Sequence, residues 1–251
     1  MNGRIAGSVA VVTGSSRGLG KSIAIGFAAE GADVIVNYVQ DEAGAQDTAE
    51  SIRQLGGRAH IIRADVSQRA DVKRLFAEAA ATFGKIDILI NNAGINKRCW
   101  FEETTDEDWD TIMAINLKGP FMCCQEVFPY MIENGSGRII NISSVASQYH
   151  GPKTVHYAVS KAGLNSLTKV LARYGAPHNI LVNAVAPGLI LTDQTREEFE
   201  SGDAQPNIDL TLLKRPGTEQ DVVSACLSVA EPKQSYMTGQ VLSVSGGAYL
   251  G

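Results

Sequence analysis

Long apolar segments are the first thing that this 251-residue sequence lacks. No stretch approaches the roughly 20 residues that cross a membrane. The start, Met1-Asn2-Gly3-Arg4-Ile5, also has no apolar core of the kind that a signal peptide needs. We therefore expect a protein with no membrane association, located in the cytoplasm.

Cysteine is scarce as well, with four residues at positions 99, 123, 124 and 226. They form no CxxC pair and no metal-type spacing with the four histidines, so we predict no metal site. The adjacent Cys123 and Cys124 are typical of small buried side chains in a reduced protein.

An excess of positive charge is also absent. Lys and Arg number 22 against 27 Asp and Glu, which gives a formal net charge of -5. Nucleic acids and anionic membranes attract clustered basic side chains. The composition argues against both partners and favours a small molecule instead.

What the sequence does have is an alternation of short β-branched segments and longer amphipathic ones. With 44% hydrophobic residues the chain can bury one large core, and no linker or repeat divides it. Such alternation predicts parallel strands joined by crossover helices. We predict one α/β domain over residues 1–251, a doubly wound, seven-stranded parallel sheet with helices on both faces. The predicted strands are Val9 to Thr13, Val34 to Tyr38, His60 to Ala64, Ile86 to Asn91, Arg138 to Ser143, Leu181 to Ala186 and Gln240 to Val244. The predicted helices are Gly18 to Glu30, Ala43 to Leu55, Arg69 to Phe83, Trp109 to Glu133, Tyr157 to Tyr174 and Glu219 to Ala230.

One segment, Leu189 to Pro216, departs from this alternation because it is charged and irregular. Loops of that length are uncommon in a compact domain unless they have a function. It follows the carboxyl end of a strand, which favours a lid over a substrate site. The alternative is a solvated helical insertion that contacts no ligand.

A glycine-rich turn joins the first strand to the first helix. It reads Thr13-Gly14-Ser15-Ser16-Arg17-Gly18-Leu19-Gly20, and its Gly-x3-Gly-x-Gly spacing differs from GxGxxG. Glycines here permit a tight turn and the close approach of a pyrophosphate to helix N-terminal amides. Similar turns also close strand-helix units that bind nothing. The position between strand and helix is what indicates a dinucleotide site.

The end of the second strand determines which nicotinamide cofactor is preferred. An acid there would repel a 2′-phosphate, but the strand ends with Asn37 and Tyr38. Arg17 adds a cation that can pair with such a phosphate, or else it is an exposed loop charge. We therefore predict NADP(H), with NAD(H) as the alternative.

The third and fourth strands end in further candidate cofactor residues. Asp65 and Val66 are placed to bind adenine, and the segment Asn91-Asn92-Ala93-Gly94 is placed to carry the backbone past the cofactor. The two asparagines have an alternative role, because Asn commonly bonds local backbone at strand ends.

Tyr157 and Lys161 are four residues apart in a predicted helix and so project from the same face. A cation about 5 Å away favours the ionised phenol by roughly 3 kcal/mol at an effective dielectric of about 20. That would lower the pKa of the tyrosine by about two units and suit it for acid-base work. An ordinary surface pair is the alternative.

These residues together resemble the short-chain dehydrogenase/reductase family from about Gly7 to the end of the chain. The resemblance is carried by the glycine-rich turn and by Asp65, Asn91-Asn92-Ala93-Gly94, Asn116, Ser144, Tyr157-x3-Lys161 and Pro187-Gly188, all in order.

The resemblance implies a Rossmann-fold oxidoreductase that is a homotetramer or dimer, uses a nicotinamide cofactor and needs no metal. It implies that Tyr157 is the general acid and base, that Ser144 orients the carbonyl, and that Asn116 holds a proton-relay water. Lys161 would lower the tyrosine pKa and bind ribose. The implied cofactor-binding residues are Gly14, Ser16, Arg17, Gly18, Leu19, Gly20, Asn37, Tyr38, Asp65, Val66, Asn92, Ala93, Gly94, Tyr157, Lys161, Pro187, Gly188, Ile190 and Thr192.

Several of these residues have structural alternatives. Ser144 can instead cap a turn, with Ser143 separated from it only by spacing, and Asn116 can instead kink a helix. His156 lies beside Tyr157 but on another helix face, so we interpret it as a pocket-wall or structural residue.

Within the family the sequence is most similar to 3-oxoacyl-acyl-carrier-protein reductases, with glucose 1-dehydrogenases as the second choice. Two positions that are often Arg in the carrier-dependent enzymes are Gly135 and His178 here, which counts against an acyl carrier protein as partner. Trp100 and Phe101 are candidates for an apolar pocket wall. A catalytically silent NADP-binding regulator is a third possibility, but Ser144, Tyr157 and Lys161 all remain.

Overall fold

A computed structural model describes residues 3–149, 151–192, 195–201 and 204–250. Short strands and helices alternate along the described chain, as the sequence predicts. The strands are β1 (Val9–Val12), β2 (Asp33–Tyr38), β3 (Ala59–Arg63), β4 (Ile88–Asn91), β5 (Gly137–Ile142), β6 (Ile180–Pro187), β7 (Ile190–Leu191), β8 (Gly217–Thr218) and β9 (Val241–Val244). The helices are α1 (Gly18–Ala29), α2 (Glu42–Gln54), α3 (Arg69–Phe83), α4 (Asp106–Met113), α5 (Gly119–Glu133), α6 (Val155–Gly175), α7 (Arg196–Glu200), α8 (Gln205–Leu210) and α9 (Glu219–Ala230).

Seven of the strands form one parallel sheet in the order β3-β2-β1-β4-β5-β6-β9. The predicted fold is therefore confirmed. The chain order reverses between β1 and β4, and ligands of open parallel sheets bind beyond the carboxyl ends of the strands at such a point.

The core lies on both faces of this sheet. On one face, Phe27 of α1 and Val222 of α9 belong to one buried cluster with Ile88 of β4. On the other face, Phe76 of α3 and Val127 of α5 belong to a second buried cluster. Because successive side chains of a strand point to opposite faces, β-branched strands with few polar residues can supply both clusters.

The helix predicted from Trp109 to Glu133 is not continuous. A single π-helical turn, Ala114–Lys118, separates α4 from α5. Pro120 follows this turn and has no N–H to donate to the carbonyl of Asn116, four residues back. The widened turn contains the buried Asn116, so both of its predicted roles, as a relay residue and in a helix kink, stay predictions.

The predicted lid from Leu189 to Pro216 has more regular structure than its sequence indicates. It contains β7, α7 and α8, and β7 pairs in parallel with β8. Thr195 donates from its hydroxyl to the Ile190 carbonyl at 2.8 Å, and the Leu213 N–H donates to the Gly246 carbonyl at 3.0 Å. Residues 193, 194, 202 and 203 of the predicted lid lie outside the described residues.

The four cysteines are free thiols, and Cys123 and Cys124 are buried as predicted. No helix in the described ranges is both long and apolar enough to span a membrane. Among the same residues, His, Cys, Asp and Glu side chains form no group that could hold a metal ion.

Candidate active site

A cavity of about 450 Å³ lies beyond the carboxyl ends of β1 to β4. It is lined by twelve of the residues that the sequence predicts for cofactor binding: Gly14, Ser16, Arg17, Gly18, Leu19, Gly20, Tyr38, Asp65, Val66, Asn92, Ala93 and Gly94. Five other residues complete the wall, namely Val39, Gln40, Asp41, Ile95 and Ile115.

The glycines of the first turn are required by its geometry. Gly14 and Gly18 have positive φ values of 62° and 53°, which side chains other than glycine rarely adopt. A Cβ on Gly20 would lie 2.2 Å from the Gly14 carbonyl oxygen. The backbone can therefore fold closely around the start of α1, whose first turn contains no acid that would repel an anion.

Asn37 supports this turn from behind. Its side-chain oxygen accepts a hydrogen bond from the Gly14 N–H at 3.1 Å, and its amide nitrogen donates to the Ala64 carbonyl at 2.9 Å. The side chain is buried and is not part of the cavity wall among the described residues. The amide of Asn37 joins β2 to its neighbours, and direct contact of Asn37 with the cofactor stays a prediction.

Thr13 and Asn92 brace the turn in a similar way. The Thr13 hydroxyl accepts hydrogen bonds from the N–H groups of Asn92 and Ala93, both at 3.0 Å. The Asn92 side chain donates to the Gly14 carbonyl, also at 3.0 Å. The sequence analysis assigns Thr13 no separate role, although the hydroxyl of a residue at a strand end commonly forms hydrogen bonds with nearby backbone groups.

The wall of the cavity near the end of β2 contains one acid that sequence reasoning missed. Asp41 follows β2 by three residues and caps α2, where its carboxylate accepts from the Gly44 N–H at 2.9 Å. It lines the same cavity as Arg17. Its cap pattern, an aspartate just before a helical segment, was available in the sequence.

Helix α6 carries Tyr157 and Lys161 on one face, as predicted. The Lys161 Nζ lies 5.7 Å from the centre of the Tyr157 ring and donates to the Ile142 carbonyl at 2.7 Å. Lys161 is only 4% exposed, and this burial lowers its pKa from 10.5 to about 8. Because the Lys161 side chain is buried, Tyr157 and Lys161 do not form an ordinary surface pair.

The predicted lowering of the tyrosine pKa is not found. Burial raises the pKa of Tyr157, and the hydrogen bond with the Ser144 side chain opposes this only in part. A neighbouring cation favours the ionised phenol, but the desolvation that accompanies burial of the phenol opposes ionisation and dominates here.

Ser144 and Ser143 are distinguished by the structure. Ser144 caps a short 3₁₀ turn, where its hydroxyl accepts from the Ala146 N–H at 3.1 Å, and it also faces Tyr157. Ser143 is buried and donates to the Lys161 carbonyl at 3.4 Å. Ser144 can therefore cap this turn and also contact Tyr157, so its two predicted roles are compatible.

Asn116 is fixed beside the same end of the cavity. Its side-chain oxygen accepts from the Ile95 N–H at 2.9 Å, and its nitrogen donates to the Ile95 carbonyl at 2.8 Å. A Cβ on Gly94 would lie 3.3 Å from that oxygen and 3.5 Å from the Lys161 Nζ. Gly94 therefore connects the cavity to both Asn116 and Lys161.

Four predicted cofactor residues lie after these elements and not in the cavity wall, as far as the chain is described: Pro187, Gly188, Ile190 and Thr192. Pro187 ends β6, and the Gly188 N–H donates to the Val244 carbonyl at 2.9 Å. Ile190 is buried in β7, and the Thr192 N–H donates to the Thr195 hydroxyl at 2.9 Å. In this structure their polar contacts are with the C-terminal strand and the predicted lid.

A fold with this sheet order, a glycine turn at β1 and a Ser, Tyr and Lys cluster at α6 can be compared with known proteins. A family model described as enoyl-(acyl carrier protein) reductase matches residues 14–249. The 3-oxoacyl-[acyl-carrier-protein] reductase of Staphylococcus epidermidis is 39% identical over 241 residues, covering 96% of this chain and 98% of that protein. The 3β-hydroxysteroid dehydrogenase 1 of Eggerthella lenta is also 39% identical, covering 97% and 94%.

A solved structure gives the same result for the fold. A candidate gluconate dehydrogenase from Agrobacterium tumefaciens superposes with a TM-score of 0.93 at 33% identity, covering 97% of this chain and 96% of that one. The chain belongs to the short-chain dehydrogenase/reductase family. It is an oxidoreductase that acts on CH–OH groups with a nicotinamide cofactor.

Proposed function

We propose that the protein reduces the ketone of a 3-oxoacyl thioester to a secondary alcohol with NADP(H). The observation that carries this proposal is the joint position of Ser144, Tyr157 and Lys161: two hydroxyls in mutual contact, with a buried ammonium beside them. The identity of 39% over nearly the whole chain to a 3-oxoacyl reductase supports the choice of substrate.

The cavity suits a dinucleotide in two respects. Gly14, Gly18 and Gly20 let the backbone approach a pyrophosphate closely, and the start of α1 offers N–H groups and the positive end of its dipole. Asp65 and Val66 line the same cavity, which supports their proposed contact with adenine, and Gly94 leads towards Lys161. When bound, the nicotinamide supplies or accepts the hydride.

The chain's own residues then act on the ketone oxygen. The hydroxyls of Ser144 and Tyr157 donate hydrogen bonds to it, which stabilises the negative charge that grows there during reduction. Tyr157 gives its Oη proton to this oxygen. Because burial raises its pKa, the phenol is held in the protonated form that a donor needs.

Lys161 and Asn116 complete the proton path. The Lys161 ammonium stabilises the phenolate that is left on Tyr157. Lys161 also has a pKa of about 8, so it can itself exchange a proton near neutral pH. We assign Asn116, held against Ile95 and next to Gly94, the role of holding a relay water.

The preference between NADP(H) and NAD(H) depends on two opposed side chains at the cavity. Arg17 offers a cation to a 2′-phosphate, and Asp41 offers a carboxylate that is partly occupied by the Gly44 N–H. We propose that Arg17 dominates. Arg17→Ala should weaken NADPH binding about tenfold or more and leave NADH binding unchanged. Asp41→Asn should strengthen NADPH binding, and equal losses for both cofactors in Arg17→Ala would refute the assignment.

The single domain over residues 1–251 and the lid role of Leu189 to Pro216 are also proposals. The contact of Leu213 with Gly246 and the pairing of β7 with β8 support a segment anchored at both ends. Such a segment can select the substrate while the sheet stays fixed.

A homotetramer is the proposed assembly. An apolar groove lies between α5 and α6, where Phe121 and Val170 are exposed. Exposed patches of this kind mark interfaces between subunits. Size-exclusion chromatography with light scattering distinguishes a tetramer from a dimer or monomer.

A sugar or polyol is the second candidate substrate. The candidate gluconate dehydrogenase at 33% identity favours it. Gly135 and His178 favour it too, because they replace the cations that would meet an acidic carrier protein.

Absorbance at 340 nm tests both candidates. NADPH is mixed with a 3-oxoacyl thioester, both free and on a carrier protein, and NADP⁺ or NAD⁺ is mixed with glucose, gluconate and related polyols. A 2-enoyl thioester serves as the control for reduction of a C=C bond. We expect rapid turnover of the 3-oxoacyl thioester only, whereas turnover confined to the sugars would overturn the first choice.

A further inference from the structure

His156 is a fully buried histidine directly before Tyr157. Its Nδ1 accepts a hydrogen bond from the Tyr157 backbone N–H at 2.9 Å. An imidazole nitrogen that accepts carries no proton, so the proton of the neutral ring is on Nε2. That nitrogen lies 3.9 Å from the Cys99 Sγ, within reach of a weak hydrogen bond to sulfur.

The first of these contacts replaces a missing helix cap. Helix α6 begins at Val155, and the side chain of Thr154 before it makes no capping hydrogen bond to the described residues. The Tyr157 N–H is one of the four at a helix start that have no partner within the helix. The imidazole satisfies it and so fixes the backbone of Tyr157.

The second contact reaches the segment between β4 and α4. Within this segment the Cys99 N–H donates to the Lys153 carbonyl at 3.1 Å, and Lys153 places its Nζ 4.5 Å from the centre of the Trp100 ring. At its other end, Ile95 is held by Asn116. The segment from 95 to 100 is thus attached at both ends to residues adjoining the site.

We propose that His156 is a positioning residue. Its neutral imidazole contacts the Tyr157 amide through Nδ1 and the Cys99 thiol through Nε2, and so fixes the position of one relative to the other. It couples the placement of the phenol to the segment from 95 to 100, which ends at Trp100. This inference rests on the proposed function, in which Tyr157 is the proton donor. Burial supports the neutral ring, since it lowers the pKa of His156.

Two substitutions of His156 distinguish a positioning role of its imidazole from a role in packing alone. Asn places a side-chain oxygen near the position of Nδ1, so His156→Asn keeps the acceptor for the Tyr157 N–H, whereas His156→Leu fills the space without it. We expect His156→Leu to lower kcat for the ketone at least tenfold, with the Kd for NADPH within twofold of the wild type. His156→Asn should recover at least one third of the wild-type kcat. Equal kcat values for the two variants, or an unchanged kcat in His156→Leu, would overturn the proposal.

Amide hydrogen exchange gives a second readout that needs no substrate. The peptide that contains Tyr157 should exchange at least tenfold faster in His156→Leu than in the wild type, and His156→Asn should restore protection. Unchanged exchange in His156→Leu contradicts the proposed contact. If the wild type reduces no substrate, the proposed function fails, and this exchange still decides whether the imidazole fixes the tyrosine.

Cys99→Ala covers the case in which His156→Leu does not fold. Cys99 is partly exposed, so the change is mild. We expect the KM for the ketone to rise at least threefold while kcat stays within twofold, because the Tyr157 contact remains. An unchanged KM would show that the contact between the Cys99 thiol and His156 does not position the segment from 95 to 100, and it would refute that part of the proposal.

Discussion

Lys161 gives the sharpest link between stability and function in this protein. It is a charged side chain that is 4% exposed, and its ammonium donates to the Ile142 carbonyl at 2.7 Å. Burial lowers its pKa from 10.5 to about 8. Each pKa unit is about 1.4 kcal/mol, so enclosing the charged form costs about 3 kcal/mol at pH 7.

Replacing this lysine by methionine should therefore stabilise the fold. Lys161→Met removes the cost of the buried charge and loses one hydrogen bond worth about 1 kcal/mol. The expected gain in the free energy of unfolding is about 1 to 2 kcal/mol at pH 7. The same variant should lose ketone reduction, because the phenolate of Tyr157 then lacks the stabilising ammonium of Lys161.

The pH dependence of the stability gain in Lys161→Met follows from the direction of the shift in the Lys161 pKa. Between the folded pKa near 8 and the unfolded pKa near 10.5, the unfolded chain binds more protons, so the wild type becomes more stable as pH rises. By pH 10 the cost of the charge falls to about 1 kcal/mol, and the advantage of Lys161→Met should vanish.

Urea unfolding at pH 7 and pH 10, without cofactor, measures this difference. Lys169→Met is the matched control, since Lys169 is an exposed lysine on the same helix and its loss should change stability by less than about 0.5 kcal/mol. A Lys161→Met variant that is less stable at pH 7, or whose gain is the same at both pH values, would show that the buried charge of Lys161 does not destabilise the fold.

Three further predictions concern the cavity and helix α6. Gly20→Ala should raise the Kd for NADPH at least tenfold in a fluorescence titration, because its Cβ would lie 2.2 Å from the Gly14 carbonyl oxygen. Asn37→Ala should lower the free energy of unfolding by about 3 kcal/mol in urea, since it leaves buried partners such as the Ala64 carbonyl unsatisfied. Burial lowers the pKa of His156, so wild-type stability should fall as the pH drops below about 6.5, and His156→Asn should show a smaller fall.

The sequence predicts the sheet well because its strands are short, β-branched and followed by clear helix starts. The glycine-rich turn is predicted for the same reason, since its spacing and its place after β1 are local properties. The Tyr157 and Lys161 pair follows from helix periodicity alone. Each of these features depends on neighbours in the sequence.

The features that sequence reasoning missed depend on contacts between distant segments. Asn37 has a cofactor-site position in the sequence, yet the approach of Ala64 and Gly14 turns its amide inwards. The tyrosine pKa depends on the burial of the phenol in the folded chain, which no spacing reveals. Asp41 has a capping pattern that is visible in the sequence, but its place in the cavity wall depends on how the chain turns after β2.

The kcat of Tyr157→Phe, measured with NADPH and the substrate that the absorbance screen identifies, shows whether Tyr157 is the proton donor. The change removes only the phenol oxygen, and the cavity that holds the dinucleotide stays intact. We expect kcat to fall by about three orders of magnitude, in the range found for the loss of a general acid, with the Kd for NADPH within twofold of the wild type. A variant that keeps more than one tenth of the wild-type kcat would contradict the assignment of Tyr157 as the proton donor.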